Sequence, residues 1–125
     1  LARELPAHGI AYRHVGGLGG LRKPRRDSRN TAWQNDSFRG YADYMETAEF
    51  QDALAELIEW AAAGRTAIMC AEAVWWRCHR QLVADALVAR GIEVRHIMSD
   101  AAPSVHTLTR FARVTDGRVT YPGLL

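Results

Sequence analysis

At 125 residues the chain is long enough for one domain with a single core, and its 48% apolar and 24% charged content is ordinary for a globular protein. No apolar run approaches the roughly 20 residues that span a bilayer, so no membrane partner is expected, and the N-terminus lacks the basic-then-apolar pattern of a signal peptide. Two cysteines are too few for a disulfide framework; beside His79 they read as reduced thiols, which points to a cytoplasmic location.

In chain order, Leu1–His8 reads as the end of a helix with Gly9 as its stop, although Pro6 fits only a first turn. Ile10–Val15 is a strand candidate by its alternation. Residues 16–39 are rich in Gly, Arg, Asn and Ser without a period, as in a long functional or disordered loop. Tyr41–Glu46 reads as one or two helical turns. Thr47 is an N-cap for a helix whose Phe50, Leu54, Leu57, Ile58 and Ala61 form one apolar face, ending at Gly64. Thr66–Cys70 reads as a buried strand, His79–Arg90 as a helix with Leu82, Val83, Ala86 and Leu87 on one face, and Ile92–Met98 as a further strand. Asp116-Gly117 is a hairpin signal between Ala112–Val114 and Val119–Tyr121.

Helices alternating with strands predict an α/β fold: a small three-layer domain with a mostly parallel sheet, flanking helices and a C-terminal hairpin, residues 1–125 forming one unit. The segment from Thr66 to Met98 would be a right-handed parallel crossover. Three strands make a thin sheet, which predicts a further strand upstream of Leu1.

The net charge of +2 is unevenly placed. Arg22, Lys23, Arg25, Arg26 and Arg29 fall in one run with Asp27; the rest of the chain has 11 basic and 13 acidic residues. One basic loop on a near-neutral body suits an anionic partner, either a small anionic ligand or nucleic acid. A solvated loop with no partner is the competing reading.

Reactive residue types cluster between Cys70 and Arg80, at a strand-to-helix junction of the kind where open α/β sheets bind ligands. Cys78 sits at the start of a helix, where unpaired N–H groups and the neighbouring Arg77 and Arg80 favour a thiolate. It is a candidate nucleophile, or a small buried residue of a helix start. His79 is a candidate acid or base near neutral pH, and Glu72 would orient it, act as a base, or pair with Arg80. Arg77, Arg80 and the helix amides would bind an anion, with Cys70 at the strand end beside them. If the first strand is parallel to the second, His14, Gly19, Gly20 and Arg22 converge on the same edge. Trp75 and Trp76 would stack on a base or sugar; Trp76 is counted with the binding residues.

Two sharper assignments fail on spacing. Cysteine phosphatases and sulfurtransferases separate Cys and Arg by five residues; here Cys70 and Arg77 are separated by six, and the loop has no glycine to wrap an oxyanion. Zinc would need three or four ligands, and no CxxC pair exists, so no metal site is assigned. No cofactor is indicated.

Cys-Ala-Glu (Cys70 to Glu72) followed by Cys-His-Arg (Cys78 to Arg80) at a helix start resembles the DUF488 family, bacterial and archaeal proteins of uncharacterised function. His14-Val-Gly-Gly-Leu-Gly-Gly20, Phe38-Arg-Gly-Tyr41 followed by Tyr44-Met45, and Phe111-Ala-Arg-Val114 match in the same order. The resemblance implies an α/β fold and no established activity. It also implies strands carrying Thr-Ile-Gly-His-like and Asp-Val-Arg-like motifs ahead of Leu1, which would complete the pocket. The residues then support an enzyme acting on a phosphate-containing or nucleotide-like substrate, a non-catalytic nucleic-acid or nucleotide binding module, or a domain whose Cys-His-Arg cluster is structural.

Overall fold

The computed structural model describes residues 3–70, 78–99 and 101–123. Among these residues the elements are helices α1 (Glu4–Ala7), α2 (Asp36–Tyr44), α3 (Ala48–Ala63) and α4 (Arg80–Ala89), a 3-10 turn over Gly16–Leu18, and strands β1 (Arg95–His96), β2 (Ser104–Val105), β3 (Arg113–Thr115) and β4 (Arg118–Thr120). No helix among them is long and apolar enough to cross a membrane.

The helices start where local chemistry provides a cap. Asn35 accepts from the Phe38 amide at 3.2 Å and starts α2, earlier than the turns expected from Tyr41. Thr47 Oγ1 accepts from the Phe50 amide at 3.2 Å and starts α3, satisfying a donor that the helix itself cannot. The apolar stripes of α2, α3 and α4 meet in a core around Tyr41, Phe50, Leu54, Leu82, Val83 and Leu87, closed from the C-terminal side by Val119 and Tyr121. Trp33 packs edge-on against Phe38, Phe111 and Tyr121 at centroid distances of 5.1, 4.8 and 5.4 Å, the geometry that aromatic quadrupoles favour.

The expected parallel sheet is corrected to two small antiparallel pairs. Strand β1 pairs with β2, with Arg95 opposite Val105 and His96 opposite Ser104. Strand β3 pairs with β4 through Asp116 and Gly117, whose φ values of 52° and 75° are those of a hairpin turn that follows strand twist. Ile10–Val15 and Thr66–Cys70 join no ladder, so the strand–helix–strand crossover is not formed among the described residues. Thr66–Cys70 is not buried either: Met69 is 62% exposed and Ile68 is only half-buried. The reason lies in pairing. Apolar alternation marks a segment able to become a strand, but a ladder needs a partner at register, and parallel partners need a crossover of a dozen or more residues. The chain after β1 turns back through Pro103 within a few residues, a return that permits only the antiparallel partner.

Residues 16–39 are organised rather than loose. Asp43 on α2 accepts from the Arg25 amide at 2.8 Å and the Ser28 hydroxyl at 2.7 Å. Asn30, fully buried, donates to Asp43 and Glu46 at 2.8 and 2.7 Å and accepts from the Tyr121 amide at 2.8 Å. One asparagine thereby ties the loop, α2 and the C-terminal strand together.

Candidate functional site

The Cys-His-Arg triplet opens α4. His79 occupies the N-cap position without a side-chain cap, and Cys78 precedes it, 5% exposed. The Arg80 amide donates to Cys78 Sγ at 3.4 Å, one of the orphan donors of a helix start. Cys70 and Cys78 are free thiols with sulfurs 2.9 Å apart, and His79 Nδ1 lies 3.6 Å from Cys78 Sγ. The structure thus brings together four of the sequence-predicted residues: Cys70, Cys78, His79 and Arg80.

The glycine-rich turn covers this group. A Cβ at Gly20 would stand 2.8 Å from His79 Nδ1, so only glycine lets the turn approach the ring. Two tyrosines of α2 hold the turn down: Tyr41 Oη donates to the Leu18 carbonyl at 2.7 Å and Tyr44 Oη to the Gly17 carbonyl at 2.6 Å. Tyr41 also packs against the His79 ring at 4.9 Å. Both tyrosines lie in the Phe38-Arg-Gly-Tyr41 and Tyr44-Met45 motifs of the family resemblance, but neither was assigned to the site from sequence; their helical spacing was the available signal. Burial holds the Tyr41 phenol protonated, well above its ordinary range.

Gly19 and Arg22 join at the edge. Arg22 donates from Nε to the Gly19 carbonyl at 3.3 Å and lays its guanidinium 3.7 Å above the Tyr44 ring, a cation–π contact. His14 is exposed, and no hydrogen bond or ion pair among the described residues ties it to Cys78 or His79. Glu72, Trp75, Trp76 and Arg77 lie outside the described residues. Much of the basic run is internally compensated: Arg25 and Arg29 reach Glu46 at 3.2 and 3.1 Å, while Lys23 and Arg26 stay exposed. Among the described residues no three His, Cys, Asp or Glu side chains group to hold a metal ion.

A second polar constellation, missed from sequence, lies across the buried face of α4. Asp85, 0% exposed, accepts from Tyr121 Oη at 2.7 Å, the Thr109 amide at 3.0 Å and His106 Nε2 at 2.8 Å. His106 Nδ1 is 2.7 Å from His96 Nε2. Asp85 among Val83, Ala84 and Ala86 was the signal, because an acid on an apolar helix face must find buried partners.

Burial lowers the pKa of His79, with Arg80 and Arg22 acting in the same direction and the Leu18 carbonyl opposing them. Burial also lowers that of His96, helped by His106 and Arg80. Both rings therefore take up protons less readily when folded than the ordinary histidine value of 6.5. Below that value the unfolded chain binds more protons, so stability rises with pH across the window and is lost as pH falls through it. The urea midpoint is expected to drop between about pH 7.5 and about pH 5; a midpoint that stays level or climbs on acidification would contradict these shifts.

The sequence pattern of the family described as "Domain of unknown function DUF488" matches residues 1–87, a span that includes the glycine-rich turn and the Cys-His-Arg helix start. No curated protein matches the chain, and no solved structure matches it.

Proposed function

We propose, for a chain that belongs to the DUF488 family, an enzyme acting on a phosphate-containing or nucleotide-like substrate, with Cys78 as nucleophile. The observation that carries this reading is the Cys78 thiol, set at the start of α4 with the Arg80 amide donating to it and the His79 ring 3.6 Å away. A helix start favours negative charge on sulfur and on a bound anion alike. The lowered affinity of His79 for protons keeps its imidazole neutral near pH 7, the form that accepts the thiol proton as a general base. Arg80, with Arg22 at the rim, supplies positive charge for the substrate anion; Glu72, Arg77 and Trp76 complete the set as orienting and binding groups. Cys70 Sγ stands 2.9 Å from Cys78 Sγ, so the two thiols share the site.

Alkylation by iodoacetamide, mapped to each cysteine by peptide mass, tests this directly. Cys78 is expected to react faster in the folded chain at pH 7 than in urea, to be protected by inorganic phosphate, and to slow by about tenfold in His79→Gln. A folded-state Cys78 that reacts more slowly than the unfolded one, and is indifferent to His79, would assign it to structure instead.

A non-catalytic module for nucleic acid or nucleotides is the second reading. Exposed Lys23 and Arg26 favour it. The ion pairs of Arg25 and Arg29 with Glu46 reduce the charge that the run can offer to phosphates.

A further inference from the structure

The chain has two cysteines, and the fold brings them into contact, with their sulfurs 2.9 Å apart. Cys78 is held by α4: it is buried, and its sulfur accepts from the Arg80 amide at 3.4 Å. Cys70 is only half-buried and ends Thr66–Cys70, a segment that joins no ladder. One sulfur is thus fixed, and the other can close on it without breaking a strand pairing.

The two thiols have different surroundings. Cys78 has the Arg80 amide and, at 3.6 Å, the His79 ring to support a thiolate, so it is the sulfur that attacks first. Cys70 stands in contact with it and reaches the Cys78 sulfur next. Action on a substrate gives Cys70 no task of its own. A nucleophilic cysteine with a second thiol against it is the arrangement of a redox-sensing cysteine and its resolving partner.

We infer that Cys70 and Cys78 close to a reversible disulfide in response to hydrogen peroxide, and that this turns the Cys78 site off. The inference rests on Cys78 being the nucleophile and adds the regulation of that site. His79 takes the Cys78 thiol proton, and the thiolate attacks one peroxide oxygen: an S–O bond forms and the O–O bond breaks. The departing hydroxide recovers the proton from His79 and leaves as water. Cys70 then attacks the sulfur of the Cys78 sulfenic acid. An S–S bond forms, the S–O bond breaks, and hydroxide leaves with the Cys70 proton as a second water. The two thiols lose two electrons and the peroxide gains them. The disulfide offers no thiolate to a substrate, and it spares Cys78 the irreversible sulfinic and sulfonic acids. A dithiol reductant restores both thiols by exchange and becomes a disulfide itself.

The test exposes the full chain to hydrogen peroxide at pH 7, blocks the remaining thiols with iodoacetamide and digests with trypsin. Cleavage after Arg65, Arg77 and Arg80 puts the cysteines on separate peptides, so a disulfide joins peptide 66–77 to peptide 78–80. The joined pair is expected from monomeric chain, and dithiothreitol is expected to separate it and restore alkylation of Cys78. In Cys70→Ser, dimedone is expected to label Cys78 as its sulfenic acid, and irreversible oxidation of Cys78 is expected to rise by about tenfold over the parent. Dimedone is expected to leave Cys70 unlabelled in Cys78→Ser. Cysteines that stay unjoined under peroxide, Cys78 sulfinic acid in place of the joined pair, disulfides between chains, or dimedone on Cys70 in Cys78→Ser would each overturn the proposal. The rate of Cys78 with iodoacetamide before oxidation separates the two failures. A fast Cys78 without a disulfide sinks the switch alone, and a slow one without a disulfide sinks the nucleophile as well.

Discussion

Replacing Asp85 by alanine is expected to lower the unfolding free energy by about 3–5 kcal/mol, the range for stripping one partner from a buried charged network. The carboxylate is fully buried and receives the Tyr121 hydroxyl, the Thr109 amide and the His106 ring. Alanine leaves all three donors facing a void, and each buried donor without a partner costs about 1–3 kcal/mol. Set against the roughly 5–15 kcal/mol that holds a typical domain together, that is a large fraction of the total. Asp85→Asn preserves the shape but presents an amide NH2 to a donor, so its loss should be intermediate. Urea titrations that report the midpoint at unchanged slope measure both. A loss below about 1 kcal/mol in Asp85→Ala would mean that the carboxylate is not the hub of the network.

Gly40→Ala is expected to cost about 2–3 kcal/mol, near the upper end for overpacking. At an unhindered helical position the same change stabilises by about 1 kcal/mol, so the sign of the effect is diagnostic. Gly40 is buried on α2, and a methyl group there would overlap the Arg22 carbonyl and crowd the Arg22–Lys23 peptide unit. Backbone cannot rotate aside as a side chain can. The basic segment would have to lift from α2, taking Arg22 away from the Tyr44 ring and the Gly19 carbonyl. Thermal melting reads the stability change. A variant as stable as the parent, or more so, would show that the segment does not lie on α2 as described.

Both predictions concern how α2 and α4 organise the chemistry. Helix α4 presents Cys78, His79 and Arg80 at its N-terminal end and Asp85 on its buried face. The Arg80 amide donates to the Cys78 sulfur. Helix α2 positions the opposite wall, through Tyr41 and Tyr44 on the glycine-rich turn and Asp43 on the basic segment.

Features governed by neighbours along the chain were legible without a structure. The Thr47 cap, the α3 and α4 stripes, the Asp116-Gly117 hairpin and the Cys-His-Arg triplet at a helix start all depend on contacts within a helical turn or a two-residue loop, where side-chain spacing dictates geometry. The family resemblance rests on the same local motifs, and the match over residues 1–87 bears it out. Sheet pairing was not legible, because a strand candidate such as Thr66–Cys70 carries its own propensity but no record of its partner. Nor were the joints that close the molecule: Asn30 bonds to Tyr121 across 91 positions, and Tyr121 to Asp85 across 36. The amino-acid sequence by itself determined helices α3 and α4, the hairpin and the reactive triplet, since each is a short-range consequence of residue order. Only the tertiary structure decided the antiparallel pairings, the acid anchoring of the basic segment and the buried Asp–His–His chain, since burial turns distant polar groups into obligatory partners once water is excluded.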